Sequence, residues 1–443
     1  MLLGLGSMLG TGVFVSIAIV AGIAGPAVVT AIVIAGILAT CNGLSSAQLA
    51  ASHPVAGGTY EYGYKYLTPT LGFTAGWTFL LAKSASAATA ALGIAAYLQA
   101  ATGWQIDNTF ESITTVNQGY FGIRFAIAIG ALVLTSGFVL GGVKRSNVMN
   151  LILISIAGVA LITFIIACCN ADRFAAPSLS HLLGQTSDAN SEQSSITIGT
   201  LLSATALIFV AYTGYGRVAT MGEEIREPQR NIPRAVLITL LVTASLYIAV
   251  AFAIVSVTNT DQLADITASA SQTGGAALSM IANTQVNSTV GTIVSIGALA
   301  AMLGVLLNLV LGLSRIALAM GRRRDLPHVF ASISKSGTTP VPAVLLVTII
   351  IAILICIGDI KTTWSFSAFT VLIYYALANL AALRLKGEDQ RYPRFIAIAG
   401  FIGCLGLAFF VPVQIWLTGG GLILLGLIWH WVMQRSNRPR IHK

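Results

Sequence analysis

The chain alternates apolar segments of about twenty residues with short polar ones from end to end. A helix rising ~1.5 Å per residue needs ~20 residues to cross a ~30 Å hydrocarbon layer. Twelve stretches have that length and almost no charge: 2–23, 26–50, 70–99, 120–142, 147–169, 197–220, 232–257, 286–320, 341–358, 362–385, 395–413 and 416–434. The third and eighth exceed what a crossing requires, which predicts tilt or extension beyond the membrane. The pattern predicts an all-α membrane protein with about 12 transmembrane helices and no soluble domain. The first stretch is not preceded by a basic segment, and Gly and Ser interrupt it, so it reads as a membrane helix rather than a signal peptide.

Composition sharpens this. Only 9% of the 443 residues are charged and 56% are hydrophobic, where a soluble globular chain is about a quarter charged. With twelve spans both termini share a side. Lys65, Lys144, Arg145, the run from Arg217 to Arg234, Arg315, Arg322 to Arg324, Lys335, Arg384 to Arg394 and the tail Arg435 to Lys443 then fall in that compartment. These are twenty of the 24 basic residues, whereas Arg124, Arg173 and Lys361 fall opposite. The positive-inside rule places both termini in the cytoplasm and the chain in the cell (inner) membrane as a multi-pass protein. The basic tail (Arg435, Arg438, Arg440, Lys443) lacks interleaved aromatics and lies beside the membrane, so it fits anionic lipid rather than nucleic acid. No GxxxxGK[ST] loop occurs, which excludes a P-loop ATP-driven pump. Cys41, Cys168, Cys169, Cys356 and Cys404 all lie in apolar segments and read as packing residues rather than a disulfide framework.

The opening run Gly4-Leu5-Gly6-Ser7-Met8-Leu9-Gly10-Thr11-Gly12 holds four of its residues as glycine, each costing ~1 kcal/mol against alanine in an unbroken helix. Gly6 and Gly10 form a GxxxG pair suited to close helix packing. The alternative is a discontinuous helix, unwound at Gly10-Thr11-Gly12, whose amides and helix dipole would bind a carboxylate near the midplane. The sixth stretch carries a second interruption, Phe209-Val210-Ala211-Tyr212-Thr213-Gly214-Tyr215-Gly216. Five spans separate the two, the arrangement expected of repeats in opposite orientation.

Residues Gly6 to Phe14 resemble the opening motif of the amino acid–polyamine–organocation (APC) transporters. So do Pro54-Val55-Ala56-Gly57-Gly58-Thr59-Tyr60, continuing to Leu71-Gly72-Phe73 and Gly76-Trp77. Ala211 to Tyr215, followed by Glu223 to Arg234, is similar to the family's E-x-x-x-P-x-x-x-I-P pattern, and Leu313-Ser314-Arg315 through Pro327 to the end of its eighth helix. The nearest branch resembles bacterial relatives of the cationic amino acid transporters. This resemblance implies a five-plus-five inverted repeat with broken first and sixth helices: residues 1–169, an inverted second repeat at 197–385, and two additional helices with a basic tail at 386–443. It also implies a permease working by alternating access around a central site. The amides of Gly10, Thr11 and Gly12 would bind the substrate carboxylate. The carbonyls of Met8, Val210, Ala211 and Thr213, around Gly214, would take the ammonium. Tyr212 and Tyr215 would close over the side chain or serve as packing residues. Glu223, Glu224 and Arg315 would form a cytoplasmic gate or simply be solvated helix ends.

Two features depart from the family pattern. Met1 stands five residues before Gly6, without the usual charged leader, and reads as an internal start. The lysine often found in the family's fifth helix is missing from Leu151-Ile152-Leu153-Ile154-Ser155-Ile156-Ala157. Lys83 appears instead, deep in the third span, where a charge costs ~2.5–3.5 kcal/mol. It is either a structural lysine bonded to a neighbouring helix or a candidate for exchange of H+ as coupling ion. No membrane-embedded acid accompanies it, so a neutral amino acid is the expected substrate. An exchanger or uniporter for cationic amino acids or polyamines, or a non-transporting sensor on the same fold, is the alternative.

An enzyme is not expected. There is no HExxH or GxSxG, and His53, His181, His328, His430 and His442 are scattered, leaving no metal or cofactor set. His430, between Trp429 and Trp431, reads as a membrane-interface residue.

Overall fold

A computed structural model describes residues 2–55, 57–102, 122–141, 143–184, 196–217, 227–273, 276–334 and 339–436. Every regular element among them is helical. The first span is α1 (Leu2–Met8), a π-helical turn at Gly12–Ser16 and α2 (Ile17–Ala24). Gly25 turns the chain at φ 50°, a left-handed conformation that costs glycine little, and Pro26 opens the short 3-10 turn leading into α3 (Val28–Ser52). Then come α4 (Thr59–Tyr66), α5 (Pro69–Thr102), α6 (Ile123–Leu140), α7 (Val143–Cys169), the single turn α8 (Leu179–Leu182) and α9 (Ile198–Tyr212). The second half holds α10 (Pro228–Val257), α11 (Thr260–Thr273), α12 (Ala277–Gln285), α13 (Ser288–Arg322), α14 (Val341–Ile357), α15 (Ile360–Ala382), α16 (Arg394–Ala408) and α17 (Val413–Ser436).

Nine helical stretches among the described residues are long and apolar enough to cross a membrane, and α14 and α16 are shorter apolar helices. The first of the nine, Gly4–Ser52, folds back at Gly25 and makes two crossings, so the twelve expected spans are present. Helices α5 and α13 run to 34 and 35 residues, as the long third and eighth stretches predict. The seventh span starts at Pro228, ahead of the expected 232, because proline suits a helix's first turn. Apolar periodicity did not announce α4, α11 and α12, which are amphipathic or polar and lie between spans.

Helix α5 packs along α13 and α15, α3 along α10, and α7 along α13. In its most apolar stretch 89% of α5 is buried inside the protein, against 22% of α17. The centre is therefore α5, α13 and α15 around the two interrupted helices, with α17 outermost. Val133, Val159, Ile162, Leu241, Ile349 and Ile402 point outward, an apolar girdle matched to lipid chains rather than water. The turn between α16 and α17 is itself apolar, with Phe409 and Phe410 exposed.

Candidate functional site

The first span opens where the glycines stand. Helix α1 stops at Met8, and Leu9 and Gly10 are irregular. Thr11 resumes the helix, and the Gly10 carbonyl accepts from the amides of Val13 (3.1 Å) and Phe14 (3.2 Å). Gly10 thus caps the second half-helix, and Thr11, Gly12 and Val13 form its first turn, the end that carries the helix's partial positive charge. The interruption is narrower than expected: only Leu9 and Gly10 are irregular, Thr11 is helical and Gly12 opens the π turn. The Thr11 hydroxyl is buried with no hydrogen-bond partner among the described residues.

Glycine is required here by contact. A Cβ on Gly12 would stand 2.7 Å from both Ala211 Cβ and the Tyr247 hydroxyl, and one on Gly214 would stand 2.6 Å from Met8 Cγ. The two broken helices therefore meet face to face. Helix α9 ends at Tyr212, tightens to a 3-10 turn over Thr213–Tyr215 and continues through Gly216 and Arg217. Lys83, 7% exposed, donates to the Thr213 hydroxyl at 2.7 Å, which in turn donates to the Val210 carbonyl at 2.7 Å. The intramembrane lysine thus lies at the second break.

The carbonyls assigned to a substrate ammonium already receive hydroxyls. Tyr247 donates to Met8 (2.6 Å) and lies 3.1 Å from the Ala211 carbonyl, and Tyr375 donates to Thr213 at 3.1 Å. Each carbonyl has a second lone pair. Tyr212 turns toward α3, with its hydroxyl 3.2 Å from the Ile32 carbonyl and its ring 5.1 Å from that of Tyr247. Tyr215 packs 5.4 Å from Tyr375, and its hydroxyl has no partner among the described residues. The structure thus brings together Met8, Gly10, Gly12, Val210, Ala211, Thr213, Gly214 and Lys83, and sets Tyr212 and Tyr215 in the surrounding packing. Tyr247, Tyr375, Asn308 and Arg217 were not singled out from sequence. Asn308, a polar residue in an apolar stretch that donates to Asn150 at 2.5 Å, carried the only local signal.

A cavity of about 40 Å³ opens beside the second break, toward the end of the molecule where α1 begins and α13 ends, and Lys83, Thr213, Gly214, Arg217 and Asn308 line it. Arg217 donates through Nη1 to the backbone carbonyl of Asn308.

At that same end, Glu223 and Glu224 lie outside the described residues, and Arg315 is half-buried on α13. A different acid–base cluster ties the helices there. Asp325 accepts from Tyr60 (2.7 Å) and Tyr64 (2.6 Å), and His430 Nδ1 lies 3.1 Å from its other oxygen. Arg323 pairs with Glu61 through two contacts and lies 4.4 Å from the Tyr64 ring centre. Burial beside Asp325 holds the Tyr60 and Tyr64 phenols above their ordinary range, and its bond to Glu61 raises Arg323. His430 is 3% exposed and stacks 4.4 Å from Phe73, so it is a buried clasp residue and not an interface anchor. Arg435 sits over the Trp431 ring at 3.5 Å, while Arg438, Arg440 and Lys443 lie outside the described residues.

A bundle of membrane-crossing helices built around two facing helix breaks, with backbone groups and one lysine at their junction, defines a membrane carrier. The chain belongs to the amino acid permease family, whose sequence model matches residues 1–439. It is 34% identical over 425 residues to an uncharacterised transporter of Mycobacterium tuberculosis, covering 96% of this chain and 88% of that one. It is 26% identical to the methylthioribose transporter of Bacillus subtilis, over 98% of this chain and 92% of that one. It is 24% identical to the branched-chain amino acid permease BcaP of the same bacterium, over 98% and 92% respectively. The family and these relatives are transporters, not enzymes, and the expected membrane-transport class and multi-pass architecture hold.

Proposed function

We propose that this permease is a secondary active transporter of a neutral amino acid, working by alternating access and coupled to protons through Lys83. Residues 1–169 and 197–385 are its two inverted repeats, 386–443 its accessory helices and tail, and both termini lie in the cytoplasm of the cell that carries it. The substrate carboxylate docks on the amides of Gly10, Thr11 and Gly12, with the Thr11 hydroxyl, which has no partner among the described residues, as an added donor. Its ammonium joins Tyr247 and Tyr375 at the carbonyls of Met8, Ala211 and Thr213.

The observation that carries this reading is the meeting of the two breaks at Lys83, with no carboxylate among the described residues lining the adjoining cavity. A cationic side chain would find a like charge there. The name of the branched-chain amino acid carrier supports an uncharged substrate side chain, while the cationic amino acid transporter 4 of Mus musculus, 26% identical over 398 residues, supports the cationic alternative. Lys83 supports coupling because protonation of a lysine bonded to Thr213 changes the donors offered to the second break.

The test is uptake of a labelled amino acid panel into proteoliposomes under separate proton and sodium gradients. Leucine or alanine uptake driven by protons, with its pH dependence lost in Lys83→Met, is the expected result. Competition by arginine with none by leucine or alanine overturns the neutral substrate. Unchanged pH dependence in Lys83→Met overturns the coupling role. Binding without counterflow marks a sensor.

A further inference from the structure

Helices α5 and α15 are joined to each other by hydroxyl pairs. Ser86 and Ser367 lie 2.7 Å apart, and Thr89 donates to Thr363 at 2.8 Å. All four side chains are buried, where a hydroxyl bonds across to a neighbouring helix rather than to water. Each helix of this joined pair also reaches one of the interrupted spans with an aromatic donor. From α5, Tyr97 donates to the Phe14 carbonyl in the π turn at 2.7 Å. From α15, Trp364, next to Thr363, donates through Nε1 to the Leu207 carbonyl of α9 at 3.0 Å. Both donors are fully enclosed, Tyr97 at 0% exposure and Trp364 at 2%.

The two bonds lie on the same side of the helix breaks. Phe14 follows Gly10, Leu207 precedes Thr213, and Tyr97 and Trp364 stand near the ends of α5 and α15 that lie away from the basic end. They therefore hold the far halves of the interrupted spans, while the cavity at the second break opens toward the basic end. The ring of Tyr97 meets Phe14 edge-on at 6.3 Å, and the Leu278 amide in the first turn of α12 faces the same hydroxyl. Helix α9 packs along α2 and the π turn, so the two far halves lean on each other and are tied through Phe14 to α5 and through Leu207 to α15.

A carbonyl inside a helix keeps a second lone pair beyond its intrahelical bond, and these donors take it. Losing them leaves each half-helix intact and removes its tie to the neighbour. Water that enters when the far halves swing away can replace both partners, so each tie is worth only one net hydrogen bond, about a two- to tenfold change in an equilibrium. A bond of that size holds a closed state and still releases.

We infer that Tyr97 and Trp364 are paired positioning residues that keep the far halves of both interrupted spans closed and let go together when the carrier opens away from its basic end. The inference rests on the carrier reading for the need to open at both ends. The equilibrium itself requires neither substrate nor gradient, so it is measured apart from uptake.

Two exposed sites at the far end, Ile198 opening α9 and Lys361 near the start of α15, carry the probes. Ile198→Cys and Lys361→Cys are made with the exposed Cys169 and Cys356 changed to serine. Nitroxide labels are read by double electron–electron resonance in nanodiscs, with melting temperature followed alongside. In Tyr97→Phe and in Trp364→Phe the ratio of the longer to the shorter distance should rise about two- to tenfold. Tyr97→Phe is the telling variant, because its lost bond does not involve α9, whose movement is being read; it also carries the test alone if Trp364→Phe does not fold. Trp77→Phe, which loses a comparable indole bond to the Leu422 carbonyl of α17, should leave the ratio unchanged. An unchanged ratio in either folded variant, or an equal rise in Trp77→Phe, overturns the inference. Wild-type protein that transports no amino acid while the ratio still shifts would sink the carrier reading and leave these ties standing.

Discussion

A methyl group at Gly214 would press on Met8 Cγ at 2.6 Å and on the Ser7 carbonyl carbon and oxygen at 2.7 and 2.8 Å. Backbone cannot swing aside as a side chain does. Gly214→Ala is therefore expected to lose about 1–3 kcal/mol of packing, seen as a lower melting temperature together with reduced uptake. Gly137→Ala, with nothing within 4 Å, should leave both unchanged. Tyr247→Phe removes the donor to the Met8 carbonyl, which costs about 1–3 kcal/mol if that buried carbonyl goes unpaired; melting curves and substrate affinity should both shift. Loss of stability without any effect on affinity would assign Tyr247 a purely structural role. The glycines were legible in the sequence because a helix does not place four in nine positions without a reason. Tyr247 was not, because a lone tyrosine in an apolar helix has no local signature and its partner Met8 lies 239 positions away.

At the scale of elements, α17 is the least buried of the nine long apolar helices, and polar bonds attach it. Trp77 donates to the Leu422 carbonyl at 2.9 Å, and Trp429 to the Asp325 carbonyl at 2.9 Å. Asp325 gathers α4, the end of α13 and α17 into one clasp. Asp325→Ala leaves the Tyr60 and Tyr64 hydroxyls without an acceptor, and a loss of about 1–3 kcal/mol for each buried donor is expected. Asp325→Asn, which keeps an oxygen, should recover much of the melting temperature.

The junction of α3 and α4 adds a pH dependence. Burial, with the Lys65 ammonium 3.0 Å from its Nδ1, holds the His53 imidazole below its ordinary range. The unfolded chain then takes up this proton first. Stability should be full above the ordinary value of ~6.5, fall as the pH drops through it, and level off below the folded value. A melting profile from alkaline to acid pH, flattened in His53→Gln, checks this. The clasp was half legible: the sequence singled out Arg315 and two glutamates at this end, but α4 is too polar and too short for apolar periodicity to reveal. Only the fold brings Glu61 to Arg323, 262 positions on.

For the molecule as a whole, hydropathy alone foretold twelve crossings, because a bilayer asks every span for a run of apolar residues roughly its own thickness long. Lys83 apart, the described basic residues cluster at one end, with Arg124, Arg173 and Lys361 at the other, as helix order requires. If the basic end is cytoplasmic, exposed Cys169 at the opposite end of α7 should react with a membrane-impermeant maleimide in intact cells. A cysteine placed at Gln390 should react only in inverted vesicles. The reverse pattern would invert the proposed topology.

The short helices bear on the lipid around them. At 17 and 15 residues, α14 and α16 are about 26 and 23 Å long, below the ~30 Å of an average hydrocarbon core. The α16–α17 turn is capped with exposed Phe409 and Phe410, so this hairpin gains nothing by reaching for water. The bilayer is expected to pinch inward along these flanks at a modest cost per ångström. Acyl-chain length thus becomes a control on the protein: activity should peak in shorter-chain lipids and decline in long-chain ones.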